Sequence, residues 1–135
     1  MKVFADTVYW FALLSPRDVL HHRASEAARI YKAEQIVTSE MVLTELLNSF
    51  SETGQERRAA IVRAVASLRD RQRVAIYPQA SQLFESAFSL YRKRGDKGWS
   101  LTDCASFVIM EEQQLTAALT HDHHFVQAGF DALLR

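Results

Sequence analysis

Short apolar runs alternate with longer helical repeats along the whole chain. Val3-Phe4-Ala5, Ile36-Val37-Thr38, Val74-Ala75-Ile76-Tyr77 and Thr116-Ala117-Ala118-Leu119-Thr120 have the length and continuity of buried strands. Between them, apolar residues recur at helical spacing. The pattern predicts helices over Val8–Leu14, Ala24–Lys32, Ser39–Phe50, Gln55–Arg69, Ser81–Arg94 and Leu101–Glu112. Strands separated by helices cannot close as tight hairpins, so the expected architecture is α/β, a parallel sheet covered by helices on both faces. The closing stretch Gly129-Phe130-Asp131-Ala132-Leu133-Leu134 is read as a short last strand, although periodicity alone does not separate it from a helix end.

The length of 135 residues fits one domain over 1–135. With 48% hydrophobic residues, 24% charged, four Gly and two Pro, the composition is that of an ordered globular chain. Gly95-Asp96-Lys97-Gly98 is the clearest loop, and no repeat or low-complexity tract interrupts the pattern. Sixteen basic residues balance sixteen acidic ones, so bulk charge neither demands nor excludes a polyanionic partner. Two basic groups stand out, Arg57, Arg58, Arg63, Arg69, Arg71 and Arg73, then Arg92, Lys93, Arg94 and Lys97. Alone, each reads first as a solvated helix face. The only cysteine, Cys104, lies in an apolar run and is expected to be a buried packing thiol; no intrachain disulfide is possible. The early charge in Met1-Lys2-Val3-Phe4-Ala5-Asp6 argues against a signal peptide, and no apolar stretch reaches membrane-spanning length. A cytoplasmic, soluble protein is expected.

In an open parallel sheet the functional crevice lies beyond the carboxyl ends of the strands. Asp6 and Asp122 are placed there by the first and fourth strand candidates. Each has a structural alternative, Asp6 as a cap of the Val8 helix and Asp122 as a cap of the short turn through Phe125. Glu45 has Met41 and Val42 as its i−4 and i−3 neighbours, so it borders an apolar stripe; it escapes to solvent or meets a cation. Asp103 opens a helix that is apolar almost all round, and its alternative role is in a capping box with Ser100. Four acids at strand ends or on inward helix faces together point to a site for magnesium or manganese, which prefer hard oxygen donors.

Phe4-Ala5-Asp6-Thr7, Val42-Leu43-Thr44-Glu45-Leu46-Leu47-Asn48, the stretch Asp96 to Phe107 and the ending Leu119 to Phe130 resemble, in order and spacing, the motifs of PIN-domain nucleases, especially the VapC-type toxins. The resemblance spans essentially the whole chain. It implies a PIN-like three-layer fold with about five parallel strands, and an endoribonuclease site in which Asp6, Glu45, Asp103 and Asp122 hold Mg2+ or Mn2+. It further implies that Thr7 supports the first aspartate, that Asp96 lies outside the core set, and that the partners are an RNA substrate, a cognate antitoxin and a second subunit in a homodimer. The early aromatic cluster Tyr9, Trp10, Phe11, Leu13, Leu14 and later Phe50 is expected either to form a groove for such a partner or to pack the core.

Several competing signals are weaker. His121-Asp122-His123-His124 invites a zinc reading, but adjacent residues on a strand or turn point apart and no second His/Cys pair completes a closed site. Asp18-Val19-Leu20-His21-His22 reads as a helix start. A phosphoaspartyl phosphatase would show Asp-x-Asp after the first strand, where Val8 stands instead. A receiver-like module would place an acceptor aspartate after a central strand, where Tyr77 leads into Pro78. A PIN-like scaffold without catalysis is the remaining alternative, which retention of all four acids disfavours.

Overall fold

A computed structural model describes residues 1–135. The elements run β1 (Lys2–Ala5), α1 (Thr7–Leu13), α2 (His21–Ile30), β2 (Gln35–Ser39), α3 (Glu40–Ser49), α4 (Gln55–Asp70), β3 (Val74–Tyr77), α5 (Ser81–Lys93), α6 (Leu101–Glu112), β4 (Ala117–Leu119), α7 (His123–Gln127) and β5 (Asp131–Ala132). All five strands pair in parallel in the order β3-β2-β1-β4-β5. The fold is α/β, a central parallel sheet flanked by helices, as the alternating pattern predicts.

This strand order makes β1 the point where the chain reverses direction across the sheet. It first builds outward through β2 and β3, then crosses back to lay β4 on the other side of β1. Phe4 pairs with Ala118 and Ala5 with Leu119, so β1 and β4 end side by side. The switch point of a parallel sheet leaves a crevice above the two strand ends, because their outgoing connections diverge. Asp6 and Thr120 follow directly on these ends.

The strands next to that crevice are fully enclosed. Val3, Phe4 and Ala5 in β1 and Ala118 and Leu119 in β4 are inaccessible, which explains why these strands are continuously apolar where a half-exposed strand would alternate. The core is one cluster of 33 buried residues extending through α1, α3 and α6. The α1 aromatics belong to it. Tyr9, Trp10 and Phe50 are buried, Phe11, Leu13 and Leu14 pack against the core, and Phe11 stacks on Phe50 at 5.0 Å between ring centroids. Of the two expectations for this cluster, core packing is therefore the one observed. The aromatic side chains left in solvent are elsewhere, on α5, where Phe84 and Phe88 are each 45% exposed and Tyr91 50%.

Helix ends set the path into the crevice. Ser39 ends β2 and caps α3, its Oγ accepting from the Val42 amide at 3.1 Å. The five-residue helix α7 escaped periodicity, being shorter than two turns. It ends in a Schellman motif, with the Gly129 amide donating to Val126 O and the Phe130 amide to Phe125 O, both at 3.0 Å. Gly129 has φ +95°, a conformation that side-chain-bearing residues rarely adopt, and it turns the chain into β5. The last strand is real but only two residues long.

Candidate metal centre

Asp6 stands at the N-cap of α1, yet its side chain makes no capping hydrogen bond. Its Oδ2 instead accepts from the Thr120 hydroxyl at 3.0 Å, across the β1/β4 boundary. Thr120 also accepts from the Asp122 amide at 3.1 Å, so one buried hydroxyl ties the first aspartate to the turn carrying the last. Asp6 is only 4% exposed. Burial is the main force pushing its carboxyl up to about 7; the Thr7 amide and Thr120 hydroxyl favour the anion, and the negative charges of Asp103 and Glu45 work against it.

Asp103 sits in the first turn of α6 and closes the capping box expected from the sequence. Its Oδ2 accepts from the Ser100 amide at 3.0 Å while Ser100 Oγ accepts from the Asp103 amide at 3.0 Å. The same Oδ2 lies 3.0 Å from His124 Nδ1. Burial raises the Asp103 carboxyl above the ordinary carboxylate range; the Ser100 amide opposes this, and the Asp122 charge adds to it. Asp122 is likewise a cap, its Oδ1 accepting from the His124 amide at 2.9 Å at the start of α7. Glu45, on the exposed side of α3, receives the Thr7 hydroxyl on Oε1 at 2.5 Å.

Capping and convergence are therefore not alternatives here. Asp103 and Asp122 cap helices, and the cap holds one carboxylate oxygen of each in place. The same division recurs in all four acids: one oxygen is fixed by a protein donor, and the other accepts no hydrogen bond of ordinary geometry. A carboxylate fixed at one oxygen and open at the other suits a hard divalent cation that keeps part of its water shell. Hydrogen bonds link the four acids: Thr120 joins Asp6 to the Asp122 turn, His124 joins Asp122 to Asp103, and Thr7, next to Asp6, reaches Glu45.

Thr7 differs from the expectation. Its backbone amide favours the Asp6 anion, but its hydroxyl goes to Glu45, so it serves two acids, and Thr120 supplies the side-chain support of Asp6. Asp96 is outside the cluster, paired with Arg94 at 2.9 Å in solvent. Cys104 is buried and its thiol is pushed up to about 11, chiefly by burial, as fits a packing residue.

The group of potential metal donors gathered most tightly is not all carboxylate. The ligand atoms of Asp122, His123 and His124 lie within 4.8 Å of one another, a set able to hold a divalent metal. The expectation that consecutive side chains point apart fails for a local reason. Asp122 is extended and His123 begins a helix, so the backbone turns between them and strand alternation does not apply. By contrast, His21 is a structural residue near the start of α2, its Nδ1 2.8 Å from Ala12 O.

The family profile for the PIN domain matches residues 3–131. The chain belongs to the PIN domain family. It is similar to the 23S rRNA-specific endonuclease VapC20 of Mycobacterium tuberculosis, in strains H37Rv and CDC 1551, at 28% identity over 130 residues and 95% of both chains. The crystal structure of that protein, described as a sarcin-ricin loop cleaving toxin, superposes with a TM-score of 0.82 at 26% identity, covering 95% of each chain. This PIN domain thus combines homology to a VapC-type nuclease with an acidic crevice at the sheet's switch point.

Proposed function

We propose that this chain is a Mg2+- or Mn2+-dependent endoribonuclease, a single PIN domain over 1–135 acting as the toxin of a toxin–antitoxin pair. The observation that carries the reading is the half-satisfied state of Asp6, Glu45, Asp103 and Asp122. Asp6 follows β1, Asp122 follows β4, and Glu45 and Asp103 come from α3 and α6; each keeps one carboxylate oxygen without a protein donor, and an acidic crevice would repel RNA unless cations neutralise it. A bound divalent ion supplies an activated water and neutralises charge on the departing oxygen. The protein's part is to fix the donors: Thr120 orients Asp6, Ser100 orients Asp103, the His124 amide orients Asp122, and Thr7 orients Glu45. Enclosure of Asp6 by β1 and β4 holds its carboxylate in a dry setting in which a charge is strongly felt.

VapC20 makes 23S ribosomal RNA the first substrate to examine, and a VapC-type toxin implies an antitoxin and a cytoplasmic site of action. For the homodimer, the exposed α5 aromatics Phe84, Phe88 and Tyr91 are the better anchors, since those of α1 are consumed in the core. No helix is long and apolar enough to cross a membrane. The test is to incubate the purified chain with 23S rRNA and with mixed RNAs, with Mg2+, with Mn2+ and with excess chelator. Cleavage in either metal and none in chelator is expected. Undiminished cleavage in chelator, or none under any condition from a folded protein, would refute the nuclease reading. Growth arrest on expression, relieved by a co-expressed antitoxin, tests the toxin role separately.

A further inference from the structure

We infer that Asp122, His123 and His124 form a second cation subsite of mixed nitrogen and oxygen donors, selective for a borderline ion of the zinc type over Mg2+. Three observations lead there. The ligand atoms of the three side chains lie within 4.8 Å of one another, so two imidazoles and a carboxylate face one small volume. Three protein donors with open positions are the stoichiometry of an accessible zinc-type site, and imidazole suits zinc, nickel and copper, whereas magnesium demands oxygen. The rings are also held. The two imidazoles sit 4.5 Å apart between centroids, and His124 Nδ1 lies 3.0 Å from Asp103 Oδ2 and 3.4 Å from Asp122 Oδ1, so this ring borders both carboxylates.

The subsite is open to solvent on one side and joined to the carboxylate crevice on the other. His123 is 61% exposed while Asp122 and His124 are about a quarter exposed, so an ion reaches the donors without unfolding α7. Asp122 is the shared element. The proposal rests on the nuclease reading only in placing Asp122 in that crevice; its donor set stands without any RNA chemistry. Because the two subsites share a carboxylate and differ in donor softness, Zn2+ at the histidines is expected to compete with Mg2+ for Asp122. That would make this PIN domain more sensitive to zinc than an all-carboxylate cluster.

The experiment uses the full chain, metal-free, with Zn2+ and Mg2+ as probes and no RNA. Histidine ring nitrogens are followed by NMR during each titration, and affinities are measured by calorimetry. The expected result is that one equivalent of Zn2+ shifts the ring nitrogens of His123 and His124, leaves those of His21 and His121 in place, and exceeds any shift that Mg2+ causes at His124 through Asp103 and Asp122. His123→Ala, at an exposed position where the fold is not at stake, is expected to weaken Zn2+ at least about tenfold, on the scale of losses around metal ligands, with Mg2+ affinity unchanged. Asp6→Asn is expected to do the reverse. Unmoved histidine rings at saturating Zn2+, equal Zn2+ affinity in His123→Ala and the parent chain, or equal ring shifts with Mg2+ would each overturn the proposal. Loss of RNA cleavage with retained zinc binding would defeat the nuclease reading and leave this one intact.

Discussion

The two halves of the crevice hold their potential metal donors under different solvation. On the β1 side, Asp6 is almost fully buried, fixed by a buried threonine, and carries a carboxyl pushed up to about 7. On the α7 side, Asp122 and His124 are part-exposed and His123 faces solvent. The difference separates two jobs. A buried carboxylate is a costly, rigid donor that a cation rewards, since burial disfavours the anion and a bound positive charge restores it. In the proposed metal centre the α7 side would be the one that ions and substrate reach, because it is part-exposed and a helix cap holds Asp122 in place.

The largest effect expected from this contrast is at Asp6. Asp6→Asn removes the buried donor, and we expect RNA cleavage to fall by well over about a hundredfold, beyond what loss of a residue behind a ligand costs. The same variant should be more heat-stable than the parent in chelator at pH 8, because it deletes a buried charge; a less stable variant would show that the Asp6 anion is already compensated without metal.

Removing the support behind the donor comes next. Thr120→Val keeps the shape of the side chain but deletes the hydroxyl shared by Asp6 and Asp122. A loss of about ten- to a hundredfold in Mn2+ affinity is expected by calorimetry, with Thr120→Ser restoring most of it. Equal loss in both variants would indicate a packing defect and not a lost hydrogen bond.

The pH dependence follows from the raised carboxyl of Asp6. A group that holds its proton more tightly in the folded state adds stability below its unfolded value and loses it as pH rises toward the folded value. Metal-free protein should therefore lose stability, on the order of a few kcal/mol, between about pH 4 and pH 7. Metal affinity should rise over the same interval, since the ion displaces the proton. Chemical denaturation at several pH values, with chelator and with Mn2+, reads both trends; a flat metal-free profile would contradict the burial argument. The smallest effect is at the cap. Ser100→Ala should cost about 1 kcal/mol of stability and loosen Asp103 without removing it, so activity should fall far less than in Asp103→Asn.

Much of this arrangement is legible in the residues themselves. Continuous apolar runs at β1 and β4 reveal strands buried on both faces, and the acids that follow them fall at the switch point by topology alone. The Ser100/Asp103 capping box is readable from its spacing. What stayed hidden depended on contacts distant in sequence or on very local backbone geometry. Thr7 was assigned to its neighbour Asp6, whereas its hydroxyl reaches Glu45, 38 residues away. Thr120 passed as a strand residue, although a hydroxyl two positions before Asp122 at a strand end is a usable signal. The histidines were set aside for want of a second His/Cys pair, which still holds, and because adjacent side chains on a strand or turn point apart, which does not hold where a helix begins. The α1 aromatics looked surplus because sequence cannot show how much surface α3 and the sheet would cover, and the exposed α5 face went unremarked for the same reason.

The central claim is that four half-satisfied carboxylates act as one metal-binding unit for RNA hydrolysis. Its most direct measurement is single-turnover cleavage of 23S rRNA in Mn2+ by the parent chain and by Asp6→Asn, Glu45→Gln, Asp103→Asn and Asp122→Asn, each checked for native circular dichroism. The account predicts metal-dependent cleavage by the parent and severe loss in all four folded variants. Parent-like cleavage in any two of them would contradict it.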